Sequence, residues 1–211
     1  MGSPADSVNR IRVATNAEPR GQFNHEQIRN GVEMIFQGLG LDVHDPRIVG
    51  TPDRVARMYD EIFAGLLVDP ADVLDTTFNE GHEDIVLVRD IPFASVCEHH
   101  LIPFFGKAHV GYLPNKDGHI AGLSKIARVV DVVAKRPQLQ ERITTEVADV
   151  LEKKLSPRGV IVQIEAEHLC MNMRGVRKPG AITVTSSVRG LMRSDPRTRA
   201  EVMSLIHGGR L

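Results

Sequence analysis

The stretch Val160-Ile161-Val162-Gln163-Ile164-Glu165-Ala166-Glu167-His168 carries the period of a β-strand. Side chains alternate across a strand, so Val160, Val162, Ile164, Ala166 and His168 share one face, and Gln163, Glu165 and Glu167 share the other. Just before it the period is helical. Leu139, Ile143, Val147, Val150, Leu151 and Leu155 fall on one side of a helix over 139–155, and 123–136 reads as a second helix, ended by Pro137. Strands recur on both sides of this helical pair. Ile85-Val86-Leu87-Val88 and the alternating 105–113 precede it, and the Thr/Ser/Val-rich 181–188 follows it. Strand pairs that bracket a helical pair predict an α+β fold with an antiparallel sheet, and the missing βαβα alternation argues against a doubly wound one.

Toward the N-terminus two more helices are expected. Asn24 with Gln27 resembles a capping box, and Ile28, Val32, Ile35, Phe36 and Leu39 form one face, closed by Gly38 and Gly40. Thr51-Pro52 reads as an N-cap followed by proline at the first helical position. Val55, Met58, Tyr59, Ile62 and Phe63 would be its buried stripe, with Gly65 as the stop. Asp195-Pro196 starts a last helix that uses Val202, Leu205 and Ile206. Residues 1–22 show no sustained period and read as a mobile arm. The expected division is that arm followed by one domain over 23–211, helical over about 24–75 and α+β over about 80–211.

Composition bounds the function. The 211 residues are 42% hydrophobic and 25% charged, which suits a globular chain and excludes wholesale disorder. A formal net charge of −1 argues against a nucleic-acid coat. No run of about 18 apolar residues is present, so no membrane span is expected. The start of the chain lacks the apolar segment of a signal peptide, and two cysteines cannot make a disulfide framework, so the reducing cytoplasm is the expected compartment. Charge is nonetheless uneven. Residues 60–90 hold nine acids and one base, which reads as a solvated face. Residues 170–199 hold seven bases and one acid, beginning beside Cys170, which suits an anionic substrate such as a phosphate.

The densest group of metal-capable side chains is Ser95-Val96-Cys97-Glu98-His99-His100. Cys97 and His100 would share an ion only if the chain leaves strand geometry near Glu98. Zinc accepts thiolate and imidazole together, but this pair is half a site. The other cysteine, Cys170, stands in Glu167-His168-Leu169-Cys170. Both cysteines also read as small buried hydrophobes, or as one disulfide. A three-ligand set would leave a position for water, the mark of a catalytic zinc. His168 reads either as a core histidine or as a proton donor beside that site. Ser124, Lys125 and Arg128 place a hydroxyl and two cations near the first turn of a helix, where anions are favoured, although alone they read as a solvated face. Glu141, beside Gln140, reads alone as a favourable first-turn charge.

Taken together these residues closely resemble GTP cyclohydrolase I. Ser95-Val96-Cys97-Glu98-His99-His100 matches that family's Cys-Glu-His-His signature, and Ala134-Lys135-Arg136-Pro137-Gln138-Leu139-Gln140-Glu141-Arg142-Ile143-Thr144 matches its second. Gly122-Leu123-Ser124-Lys125, His168-Leu169-Cys170 and Arg174-Gly175 match further motifs in the right order. The likeness runs from about Asn24 to the C-terminus, with a slightly longer segment over 114–121.

The resemblance implies the tunnelling fold, in which subunits join their sheets into a barrel, and a homodecamer of two face-to-face pentamers. It implies conversion of GTP and water into formate and 7,8-dihydroneopterin triphosphate, the first step of a folate or pterin pathway. Cys97, His100 and Cys170 match the zinc ligands, and His99 and His168 match the proton-transfer histidines. Glu141 and Gln140 match the guanine-recognition pair. Ser124, Lys125, Arg128 and Arg174 match positions near the ribose and triphosphate, and Arg54 one that reaches the phosphates from a neighbouring subunit. Two rivals stay open: another enzyme of the same fold acting on a pterin or deazapurine, and a non-catalytic zinc-stabilised binding module.

Overall fold

A computed structural model describes residues 22–208. The expected arm therefore lies, apart from Gln22, outside the described residues. Helix α1 spans His25–Gly38 and α2 Thr51–Ile62, followed by a 3-10 turn over Ala64–Leu67 and a short α3 over Pro70–Val73. Then come β1 (Thr77–Asn79), β2 (Val86–Cys97), β3 (Pro103–Leu113) and β4 (His119–Ala121). Helix α4 (Leu123–Ala134), β5 (Pro137–Gln138) and α5 (Gln140–Leu155) lead into β6 (Gly159–His168), and α6 (Leu169–Asn172) follows directly. The chain closes with β7 (Ile182–Gly190), α7 (Leu191–Ser194) and α8 (Pro196–Ile206).

The class is mixed α+β. The main sheet has the order β5-β2-β3-β6-β7, and its four long strands pair antiparallel. One expectation is corrected here: the sheet is not wholly antiparallel. The two-residue β5 runs parallel to β2, pairing Val96 with Pro137 and Cys97 with Gln138. The reason is that α4 stops at Ala134, earlier than expected, which frees the chain before Pro137 to lie along the sheet edge. Strand β2 is also far longer than the apolar run 85–88, because a bulge between Val88 and Ile91, with Asp90 at a φ of 58°, lets the strand continue past its polar interruption.

Helices α4 and α5 cover one face. Ile126, Val129, Val130 and Val133 from α4, Ile143, Val147 and Leu151 from α5, and Val160, Val162, Ile164 and Ala166 from β6 are all buried in one cluster. Each fully buried aliphatic side chain contributes about 1.5–3 kcal/mol. The opposite face is covered at one end only, where Leu113, Ile161, Met192, Val202 and Ile206 meet under α7 and α8. Elsewhere Phe105, Ile182 and Val184 stay exposed.

The N-terminal helices depart from expectation in two ways. Asn24 caps α1 as read, its side chain accepting from the Gln27 N–H at 2.9 Å, but the stripe expected to be buried on α2 is only partly covered: Phe63 is buried, Val55, Tyr59 and Ile62 are half-buried, and Met58 is 44% exposed. Thr51 is the first helical residue of α2 rather than its cap; Gly50 takes that place. The 3-10 turn is held tightly against α4. A Cβ on Gly65 would lie 2.0 Å from the Val132 carbonyl oxygen, and Arg136 donates to the carbonyls of Gly65 and Val68.

Candidate metal centre and active-site cleft

The end of the sheet that carries Cys97, Gln138, Phe104 and His168 is where the chemistry-bearing residues meet, since register pairs Cys97 with Gln138 and Phe104 with His168. Strand β2 ends at Cys97. The Cys97 carbonyl accepts from the Leu101 N–H at 2.8 Å and the His100 N–H at 3.3 Å, and Leu101 takes a φ of 52°. The chain thus leaves strand geometry at Glu98, as sharing of one ion requires, and His100 folds back beside Cys97. On the other side β6 ends at His168, and the helical turn α6 presents Cys170. His168 and Cys170 therefore do not share a strand face.

One ligand atom each from Cys97, His100 and Cys170 lie within 4.8 Å of one another. That is close to the spacing kept by donors on one tetrahedral zinc, bonded at about 2.0–2.3 Å. Both cysteines are free thiols, which removes the disulfide alternative. Burial, and then the neighbouring Cys97 sulfur, push the Cys170 thiol up from its ordinary value. Two thiolates at this distance repel each other, and a divalent cation is what lets both ionise. The donor set, two soft sulfurs and an imidazole, suits zinc.

Cys97 and Cys170 open onto a cleft of about 240 Å³, lined among others by His99, Leu139, Glu141, His168 and Met171. His168 is stacked flat on Phe104, ring centroids 4.5 Å apart and planes within 6°. Burial lowers its pKa, while the charge of Glu141 pulls the other way. His99 is largely exposed, edge-on to His100 at 6.3 Å. Arg174 reaches in from the loop after α6 and donates to His100 Nε2 at 2.9 Å. That loop is tied down by Glu167, whose Oε1 accepts from Asn172 Nδ2 at 2.6 Å and from the Gly180 N–H at 3.1 Å.

The expected site residues are thus partly brought together in one chain. Cys97, His99, His100, Glu141, His168, Cys170 and Arg174 converge. Gln140 lies among them, but its side chain turns inward and is 1% exposed. Ser124, Lys125 and Arg128 sit on the first turns of α4, outside this cleft, with Lys125 paired to Asp75 at 2.6 Å. Arg54 lies on α2, also outside, its guanidinium donating to Thr51 Oγ1 at 2.7 Å. Sequence reasoning passed over Phe104, and over Glu98 and Arg142, which meet in an ion pair. Glu98 and Arg142 stand inside the two signatures and were legible there; Phe104 carried no signal beyond its place in a strand.

The model of the family described as GTP cyclohydrolase I matches residues 28–207. Among curated proteins, GTP cyclohydrolase 1 of Halalkalibacterium halodurans is 60% identical over 89% of this chain and 99% of its own length. GTP cyclohydrolase 1 of Thermobifida fusca is 59% identical over 89% of this chain and 91% of its own, and that of Mycobacterium tuberculosis 56% identical over 87% and 91%. Among solved structures, the archaeosine synthase QueF-Like in the apo form aligns with 50% of this chain and 93% of its own at a TM-score of 0.42 and 17% identity, a likeness too slight to argue from.

Proposed function

The chain belongs to the GTP cyclohydrolase I family of enzymes, and we propose that it opens the imidazole ring of GTP hydrolytically, releasing formate and forming 7,8-dihydroneopterin triphosphate. The observation that carries this reading is the convergence of Cys97, His100 and Cys170 beside Glu141 and His168 in one cleft. Cys97, His100 and Cys170 would hold one Zn²⁺, which when bound supplies Lewis acidity that makes water a nucleophile near neutral pH.

The chain's own residues do the rest. Glu141, at the mouth of α5, accepts from guanine N1–H and the exocyclic amine together. Adenine lacks that donor pair and would leave the carboxylate unpaired, at a cost of about 1–3 kcal/mol or more. His168, beside the ligand set, moves the proton to and from the purine nitrogen, and His99 at the cleft mouth serves the later proton transfers. Arg174 faces the triphosphate.

The cleft of one chain is smaller than the roughly 300 Å³ at which ligand pockets begin, and Ser124, Lys125, Arg128 and Arg54 stand outside it. We read Ser124 and these three cations as completing a neighbouring subunit's site, in a homodecamer of two pentamers. Strand β7 ends the sheet, and Phe105, Ile182 and Val184 expose apolar surface beside it, which supports barrel closure between copies, the tunnelling fold. We take 23–211 as one such domain, acting in the cytoplasm at the start of a folate or pterin pathway. Among the described residues no helix is long and apolar enough to cross a membrane.

The test is incubation of the purified protein with GTP, assaying formate and the oxidised, fluorescent neopterin product. His168→Ala should keep its zinc while single-turnover formate release falls by about 10²–10⁴-fold, whereas His100→Ala should lose the metal. Loss of zinc from both variants alike would show a site closed by four protein ligands, and the reading would give way to a structural zinc.

A further inference from the structure

Gln140 is among the most buried polar residues of the chain, and its amide is fully committed. Nε2 donates to the backbone carbonyls of Ile164 at 3.0 Å and Thr183 at 2.9 Å, and contacts Thr185 Oγ1 at 3.2 Å. Carbonyl oxygens only accept, so the two of them fix which end of the amide is nitrogen. Oε1 must then be the atom 2.8 Å from His168 Nε2. An amide oxygen also only accepts, so His168 Nε2 carries the hydrogen. Phe104 beneath the ring and Gln140 at its edge together leave the imidazole one orientation.

We propose that Gln140 is the positioning residue of His168, locking its ring in the Nε2–H tautomer and in one orientation, with the lone pair on Nδ1. This rests on the reading of the site as a GTP ring-opening centre. Among the described residues Nδ1 has no hydrogen-bond partner, and in the neutral ring it holds the lone pair. Gln140 Oε1 accepts the Nε2–H hydrogen bond and so fixes both the tautomer and the tilt of the ring. The contribution of Gln140 to the guanine pocket is then indirect: it touches the acid and leaves the base to Glu141.

The experiment uses the zinc-loaded full chain labelled with ¹⁵N-histidine, with His168 assigned by comparison with His168→Gln. The expected spectrum shows His168 protonated at Nε2 and bare at Nδ1. A bare Nε2 would overturn the proposal without any variant having to fold. Gln140→Met removes the acceptor at similar volume. It should give mixed tautomers and lower kcat by about 10- to 100-fold, short of the loss of a whole general acid, with KM for GTP and zinc content within about twofold of the parent. Added to His168→Ala, it should cost nothing more, because it acts through that ring. Multiplying losses in the double variant, or an unchanged kcat in Gln140→Met, would refute the role. Absence of formate release from the parent would instead refute the ring-opening reading and leave the tautomer result standing.

Discussion

Arg142 and Glu98 form a two-pronged ion pair, Nη1 to Oε2 at 2.5 Å and Nη2 to Oε1 at 3.2 Å. Glu98 is the residue at which β2 turns to bring His100 back over Cys97, and Arg142 stands on the first turn of α5, one position after Glu141. The guanidinium thereby holds the Glu98 carboxyl well below its ordinary pKa and ties the turn that carries His100 to the first turn of α5, where Glu141 stands. Arg142→Leu should weaken zinc retention by about tenfold, at the lower end of what outer partners of metal ligands contribute. Chelator competition against the parent measures it.

Cys170→Ser should remove most of the zinc, from about one ion per chain, together with the activity. Serine is a poor zinc donor, and the Cys97–His100 pair left behind is half a site. Metal analysis of the purified variant decides this, and full occupancy would mean the ligand set is wrong.

Glu141→Gln replaces one acceptor oxygen by a donor that faces guanine's own donors. GTP turnover should fall by at least about tenfold, from loss of a charge-assisted hydrogen bond worth roughly 1.5–3 kcal/mol, while zinc content stays level. Unaltered turnover would reduce Glu141 to a helix-terminus charge.

Tyr112→Phe should destabilise the fold without touching the cleft. The fully buried phenol accepts from the Ala121 N–H at 2.8 Å. Phenylalanine leaves that donor buried and unpaired, at about 1–3 kcal/mol. Denaturant unfolding at a matched protein concentration reads the loss.

His109 makes stability depend on pH. Its Nδ1 accepts from the Asp90 N–H at the β2 bulge, 3.2 Å away, and burial lowers its pKa against the opposing pull of Asp90 and Glu165, with His207 and Lys107 adding to the lowering. A histidine with a depressed folded pKa binds fewer protons native than unfolded. Its contribution is therefore complete above the unfolded value of about 6.5 and is lost as pH falls from there toward the folded value. His168, lowered in the same direction, adds to the slope. His109→Gln, which keeps an acceptor but does not titrate, should flatten the decline in unfolding free energy below pH about 6.5.

Much of the fold was legible because period is a local property. The alternation in β6 and the helical stripes of α4 and α5 are written in neighbouring residues, and burial follows them: Val162, Ile164, Ile143 and Val147 are all at 0% exposure. Local capping was legible at Asn24 and at Asp195, which accepts from the Arg197 and Thr198 N–H groups. The stripe of α2 was expected to be buried, yet Met58 is exposed in the single chain, since an amphipathic pattern states that a face is apolar without naming what covers it.

By itself, then, the sequence determined the α+β class, the position of most long elements and the residue types that would suit a metal and an anion, because these depend on side chains within a few positions of one another. Only the tertiary structure decided how Cys97 and His100 meet Cys170, why Pro137 lies parallel to Val96, and that the Gln140 amide is spent on His168 and the sheet. Those outcomes turn on strand register and on which donor meets which acceptor across the sheet. An alternating pattern is unchanged by a two-residue slip, and a glutamine's chemistry is the same whichever way its amide points. Once the Ile164 and Thr183 carbonyls are both beside it, the amide has one orientation, and the histidine has one tautomer.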